Sequence, residues 1–169
     1  MFVLGVDPGL TRCGFGALER ASAKDVPYRA VVAGVIETDP TELVERRLGL
    51  LAVEIDALLD EIRPAVVVVE RIFFQTNVRT AISVAQASGV VLAAAARRGI
   101  DVAQYTSNEV KQAVVGTGGA SKAQVQGMIA RLCGLAEPPR PPDVADAMAL
   151  AACHLSSARL RAAIGAVAP

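Results

Sequence analysis

The chain has no tryptophan and one histidine, and aromatic residues make up only 4% of it. With 53% apolar residues over 169 positions, a sizeable core must be built from Ala, Val, Leu and Ile, and the length suits one domain. Cysteine is scarce: Cys13, Cys133 and Cys153 are odd in number and form no CxxC pair. Together with the lone His they argue against a zinc site, and they read as reduced, buried thiols of a cytoplasmic protein. No apolar run approaches the roughly 18 residues of a membrane span. The N-terminus has no basic segment and enters a strand directly, so no signal peptide is expected. A glycine loop, Gly116 to Ala120, is not followed by GKS or GKT, which excludes a phosphate-binding P-loop.

What is present is a repeated pattern of apolar runs that end in acid. Phe2-Val3-Leu4-Gly5-Val6 reads as a buried strand, and it stops at Asp7-Pro8-Gly9. An ionised Asp at the end of such a strand is costly unless a cation meets it, although a turn-capping role is open to it as well. Cys13 to Glu19 and Tyr28 to Thr38 read as two further strands of a meander, with a polar turn at 20–27 between them. Asp39-Pro40-Thr41-Glu42 has the form of a helix start. The apolar series Val44, Leu48, Leu51, Ile55, Leu58 and Ile62 predicts one buried helix face, with the acidic face turned to solvent. Pro64 ends that helix. Ala65-Val66-Val67-Val68-Val69-Glu70 then repeats the design of the first strand. A strand–helix–strand order predicts a parallel pair, so Asp7 and Glu70 should emerge side by side at one sheet edge.

Beyond Glu70, the segment 71–79 carries Arg71, Phe73, Phe74, Asn77 and Arg79. Its paired rings are either core aromatics or a base-stacking wedge. A helix rich in small residues follows over 80–98, suited to close packing on the sheet or to self-association. A short strand over 101–106 leads to a helix opened by Ser107-Asn108-Glu109. The glycine loop then serves as a hinge or a nucleic-acid-facing loop, and Ser121 caps the next helix. After the stiff Glu137 to Pro142 connector, Asp143-Val144-Ala145-Asp146 opens the last helix. Asp143 and Asp146, three apart, share a face of its first turn, where the dipole tolerates negative charge. His154, two turns later, lies too far along to join them and reads as packed or half-exposed. Residues 159–169 read as a basic, Ala-rich tail that frays, which leaves 1–158 as one domain.

Charge supports the same reading. Residues 37–61 hold eight acids and two bases, whereas 62–169 hold eleven bases and six acids. A basic half that contains a small acidic cluster suits a polyanion held at a metal centre. Clustered carboxylates without His or Cys favour Mg²⁺ or Mn²⁺. Two such ions could clamp a phosphodiester.

Taken in order, GVDPG at 5–9, the strand ending in Glu70 with Phe73 three residues on, Val110-Lys111-Gln112-Ala113-Val114-Val115-Gly116, Lys122-Ala123-Gln124-Val125-Gln126 and Asp143-Val144-Ala145-Asp146-Ala147 resemble the RuvC family. These are bacterial Holliday-junction resolvases of the RNase H-like superfamily. The resemblance implies an α/β domain with a mixed five-stranded sheet and helices on both faces. It implies a homodimer that cuts opposed strands of four-way junction DNA, leaves ligatable nicks, prefers T-rich sites and works with the RuvA and RuvB branch-migration complex. It makes Asp7, Glu70, Asp143 and Asp146 catalytic, metal-binding acids and places Phe73 at the junction, stacking on a base, with the adjacent Phe74 as the alternative ring. Lys111 and Lys122 become phosphate contacts. The DPG turn also opens actin-like and sugar-kinase ATPases, but those need a second lobe that this chain is too short to form. A non-catalytic junction-binding module is the other alternative, and the presence of all four acids argues against it.

Overall fold

The computed structural model describes residues 1–22, 25–71 and 78–165, the side chains of 78–80 and 158–165 excepted. Five strands, β1 (Val3–Asp7), β2 (Arg12–Arg20), β3 (Tyr28–Glu37), β4 (Val66–Glu70) and β5 (Asp101–Tyr105), form one mixed sheet in the order β3-β2-β1-β4-β5. The expected meander is antiparallel, and β4 pairs with β1 in parallel, Val3 against Val66 and Val6 against Val69. β5 extends the parallel side.

Among the described residues, five helices cover the sheet: α1 (Val44–Ile62), α2 (Val78–Arg97), α3 (Ser107–Val115), α4 (Lys122–Leu132) and α5 (Pro142–Gly165). The sheet divides the core in two. Leu4, Val6, Val67 and Val69 pack with α1 and α2, through Leu51, Ile55, Leu59, Val91 and Ala95. Val3 and Val68 pack on the opposite face with α3, α4 and α5, through Val114, Ile129 and Met148. Successive strand residues alternate between faces. Asp7 therefore shares the face of Val3, and Glu70 that of Val68. Both acids point to the α3–α5 side.

Three expectations change at α1. Asp39 does not start the helix. Its carboxylate accepts hydrogen bonds from the Thr41 amide at 2.8 Å and the Thr41 hydroxyl at 2.7 Å, closing a separate turn. The helix begins after Leu43 instead, without a side-chain cap. This spacing lets Arg47 donate to the Thr38 hydroxyl at 2.9 Å and the Thr11 hydroxyl at 2.7 Å. The buried seam is Leu51, Ile55, Leu59 and Ile62, so Leu59 replaces Leu58, and Val44 is exposed. The acidic face is not all solvated: Asp56 pairs with Arg97 and Arg98, and Asp60 with Arg98. Arg97 is the last residue of α2 and Arg98 follows it, where positive charge suits the helix dipole.

The later helices start where the sequence places them, although the cap of α3 is Thr106, read as the end of the strand before it. α3 starts with a capping box between Thr106 and Glu109, and α4 with one between Ser121 and Gln124. α5 continues to Gly165, through most of the segment read as a tail. Cys13, Cys133 and Cys153 are free and buried, and burial pushes the Cys13 thiol up to about 12. His154 is half-buried, its Nδ1 3.0 Å from the Tyr105 hydroxyl. Among the described residues, no helix is long and apolar enough to cross a membrane.

Candidate active site

The site forms where β1 and β4 end and α5 begins. α5 lies directly on β1 and β2 because three glycines leave room for its backbone. A Cβ on Gly5 would strike the Ala147 carbonyl oxygen, and one on Gly14 the Asp143 carbonyl oxygen. At Gly16 the obstacle would be the Met148 side chain. Gly5 and Gly16 are direct cross-strand partners, and Gly14 is the partner of Asp7. A shallow glycine trough thus brings the first turn of α5 down beside the strand-end acids. Sequence reading missed it, although the signal was there in glycines alternating along β2 opposite Gly5.

A pocket of about 140 Å³ opens at this point, lined by Asp7, Glu70 and Asp146 with Lys111 and Lys122. Its apolar wall comes from Val110, Val125, Ala149 and Leu150, and Ser107 completes the rim. The two capping boxes explain the lysines: one sets Lys111 a turn into α3, the other makes Lys122 the first residue of α4. Lys122 Nζ donates to Asp146 Oδ2 at 3.1 Å. Asp143 stands beside the pocket, 3.6 Å from Arg12 Nε, which also lies 3.5 Å from Glu37 Oε1. Arg12 was not singled out in the sequence; its place at the start of β2, just past the acidic turn, was the available clue.

The electrostatics are those of crowded carboxylates. Burial first, then the charges of Asp146 and Glu70, push the Asp7 carboxyl up from 3.8 to about 7. Glu70 is raised by burial and then by Asp146, against the opposing pull of Lys122 and Lys111. Asp146 in turn raises the Lys122 ammonium. Negative charge here is under-compensated by the protein's own cations. Among the described residues, no three acids, His or Cys stand ready as a metal-ligand group. All-oxygen donors and the raised Asp7 nevertheless fit a hard divalent cation, which would relieve the repulsion.

The other expected contacts are only partly placed. Arg71 is exposed, with its guanidinium 3.5 Å from the Gln104 carbonyl oxygen, and does not line the pocket. Arg79 stands at the start of α2, its side chain beyond description. Phe73, Phe74 and Asn77 lie outside the described residues.

Comparisons with known proteins converge. A family model described as "Crossover junction endodeoxyribonuclease RuvC" matches residues 3–154. A relative of that name from Frankia alni is 54% identical over 167 residues, covering 96% of this chain and 84% of the relative. The solved structure of Thermus thermophilus RuvC superposes with a TM-score of 0.87 at 37% identity, covering 95% of this chain and 96% of that one. A structure of the Thermus protein in complex with a Holliday junction substrate matches equally well, with a TM-score of 0.87.

Proposed function

The chain belongs to the RuvC family of crossover junction endodeoxyribonucleases, and from that premise we propose that Asp7, Glu70, Asp143 and Asp146 form its catalytic, metal-binding centre. The protein is a nuclease of RNase H-like fold that resolves Holliday junctions. The observation that carries the assignment of residues is the convergence of Asp7, Glu70 and Asp146 on one pocket between Lys111 and Lys122.

Mg²⁺ or Mn²⁺, two per site, would be held by the four acids. Such cations supply Lewis-acid polarisation of the phosphodiester and a lowered pKa for the attacking water. The chain's own groups do the rest. Lys111 and Lys122 meet the backbone phosphates flanking the cut as point charges. The apolar wall of Val110, Val125, Ala149 and Leu150 keeps the pocket at low dielectric, where each charge counts for more. Asp143, held beside Arg12, approaches from the outer rim. Phe73 or Phe74, with Arg71, Asn77 and Arg79 nearby in sequence, supplies the stacking wedge and further DNA contacts.

Resolution needs two opposed cuts, so the working unit is a homodimer acting on four-way junction DNA. A T-rich preference, collaboration with RuvA and RuvB, and a cytoplasmic setting belong to the same proposal; the free, buried thiols agree with the last. The test is divalent-metal-dependent nicking of a synthetic four-way junction. Two symmetric, ligatable nicks are expected from the native chain. Unchanged nicking by Asp7→Asn or Glu70→Gln would remove that acid from the centre.

A further inference from the structure

Two of the four acids already have a cation beside them, and the two pairs differ in kind. Arg12 stands on β2 between Asp143 and Glu37, shared by both carboxylates. Lys122 makes one hydrogen bond, of 3.1 Å, to Asp146, and its charge is also felt by Asp7, Glu70 and Asp143. Its side chain is 78% exposed while that of Asp146 is 24% exposed. It also starts α4, where the helix dipole disfavours a positive charge. An exposed pair of this type adds little to stability. An ammonium on a flexible stem can equally well meet a phosphate. In the DNA-free protein, then, an exchangeable lysine sits on a carboxylate oxygen of the proposed metal site.

We propose that Lys122 is a displaceable counter-ion that holds Asp146 until a DNA phosphate draws it away, so that substrate and metal binding reinforce each other. The proposal rests on the reading of Asp7, Glu70, Asp143 and Asp146 as metal ligands. Without DNA, a cation must compete with Lys122 for Asp146. With DNA bound, the lysine has a phosphate partner and the carboxylate is released. Linkage makes the effect reciprocal: the cation tightens DNA binding by the factor by which DNA tightens cation binding. Lys111 provides a control for simple charge removal. It lines the same pocket, and among the described residues no hydrogen bond or ion pair ties it to an acid.

Calorimetric titration of Mn²⁺ into DNA-free protein reads the competition without any cleavage. Lys122→Met should bind Mn²⁺ about five- to tenfold more tightly than the native chain, a coupling of ordinary size. Lys122→Arg, which keeps the charge, should stay near native, and Lys111→Met should gain less than about twofold because Lys111 acts on Glu70 by its charge and, among the described residues, occupies no carboxylate oxygen. On a non-hydrolysable junction, the gain in Mn²⁺ affinity should be larger for the native chain than for Lys122→Met. A Lys122→Met affinity no higher than that of Lys111→Met, or an equal gain on the junction, overturns the proposal. Asp7→Asn separates the two levels. Full Mn²⁺ binding by Asp7→Asn overturns the metal-site reading and this proposal with it. Loss of binding there, with no gain in Lys122→Met, overturns the lysine's role alone.

Discussion

At the scale of single residues, Asp7 stands at the heart of the proposed site and is a stability liability. Its carboxyl ordinarily titrates at 3.8, and in the folded chain at about 7. Between those values the folded protein keeps a proton that the unfolded chain has released. Stability therefore falls as pH rises through that window, and the loss is complete above it. Asp7→Asn should abolish cleavage, preserve junction binding, and raise the metal-free melting temperature at pH 8. That thermal gain should vanish near pH 4. Mg²⁺ should raise the native melting temperature more than that of Asp7→Asn, and an equal rise would contradict the site. Glu70→Gln, Asp143→Asn and Asp146→Asn should also abolish cleavage with binding retained. Lys111→Ala and Lys122→Ala should weaken junction binding at every sequence and reduce its salt slope by about one each. A stacking ring contributes roughly 1–3 kcal/mol per base, with little salt dependence. Of Phe73→Ala and Phe74→Ala, the wedge variant should therefore lose cleavage while its salt slope stays put. Thermal melts of both would expose a core ring by its instability.

At the scale of elements, the decisive fit is α5 on the glycine trough. Gly14→Ala would press on the backbone of Asp143 and Gly5→Ala on that of Ala147, whereas Gly16→Ala meets the movable Met148 side chain. Overpacking of this kind costs about 1–3 kcal/mol. Gly5→Ala and Gly14→Ala should both melt lower than Gly16→Ala, and Gly14→Ala should lose cleavage out of proportion to its stability. The strand-end acids were legible because β1 and β4 are continuous apolar runs whose last residue is charged, a local pattern. The Ser121 cap of α4 was legible for the same reason, and so was the start of α3 at Ser107, but not its cap Thr106, which reads as the last residue of the strand before it. The trough was not, because it depends on which residues of α5 lie over which of β2, a long-range match. The start of α1 misled because Asp39-Pro40-Thr41-Glu42 offers a helix cap and a free-standing turn with the same residues. Arg47 bonding Thr38 and Thr11 goes with the turn.

For the molecule as a whole, the proposed dimer draws attention to the α1–α2 layer. Ile82 on α2 and Leu50 and Val53 on α1 are large apolar side chains left exposed, Val53 at 65%. The native chain should sediment as a dimer, and Ile82→Glu should shift it toward monomer while its melting transition remains cooperative. An unshifted dimer would move the interface elsewhere.

The sheet stands between that layer and the site, with one apolar cluster on each side of it. Inheritance feels this partition. A change on the α1–α2 surface, where the dimer is proposed, can reach the acids at the ends of β1 and β4 and in the first turn of α5 only through the sheet, so assembly and chemistry answer to different substitutions. A lineage can thus revise the company the enzyme keeps without relearning its chemistry.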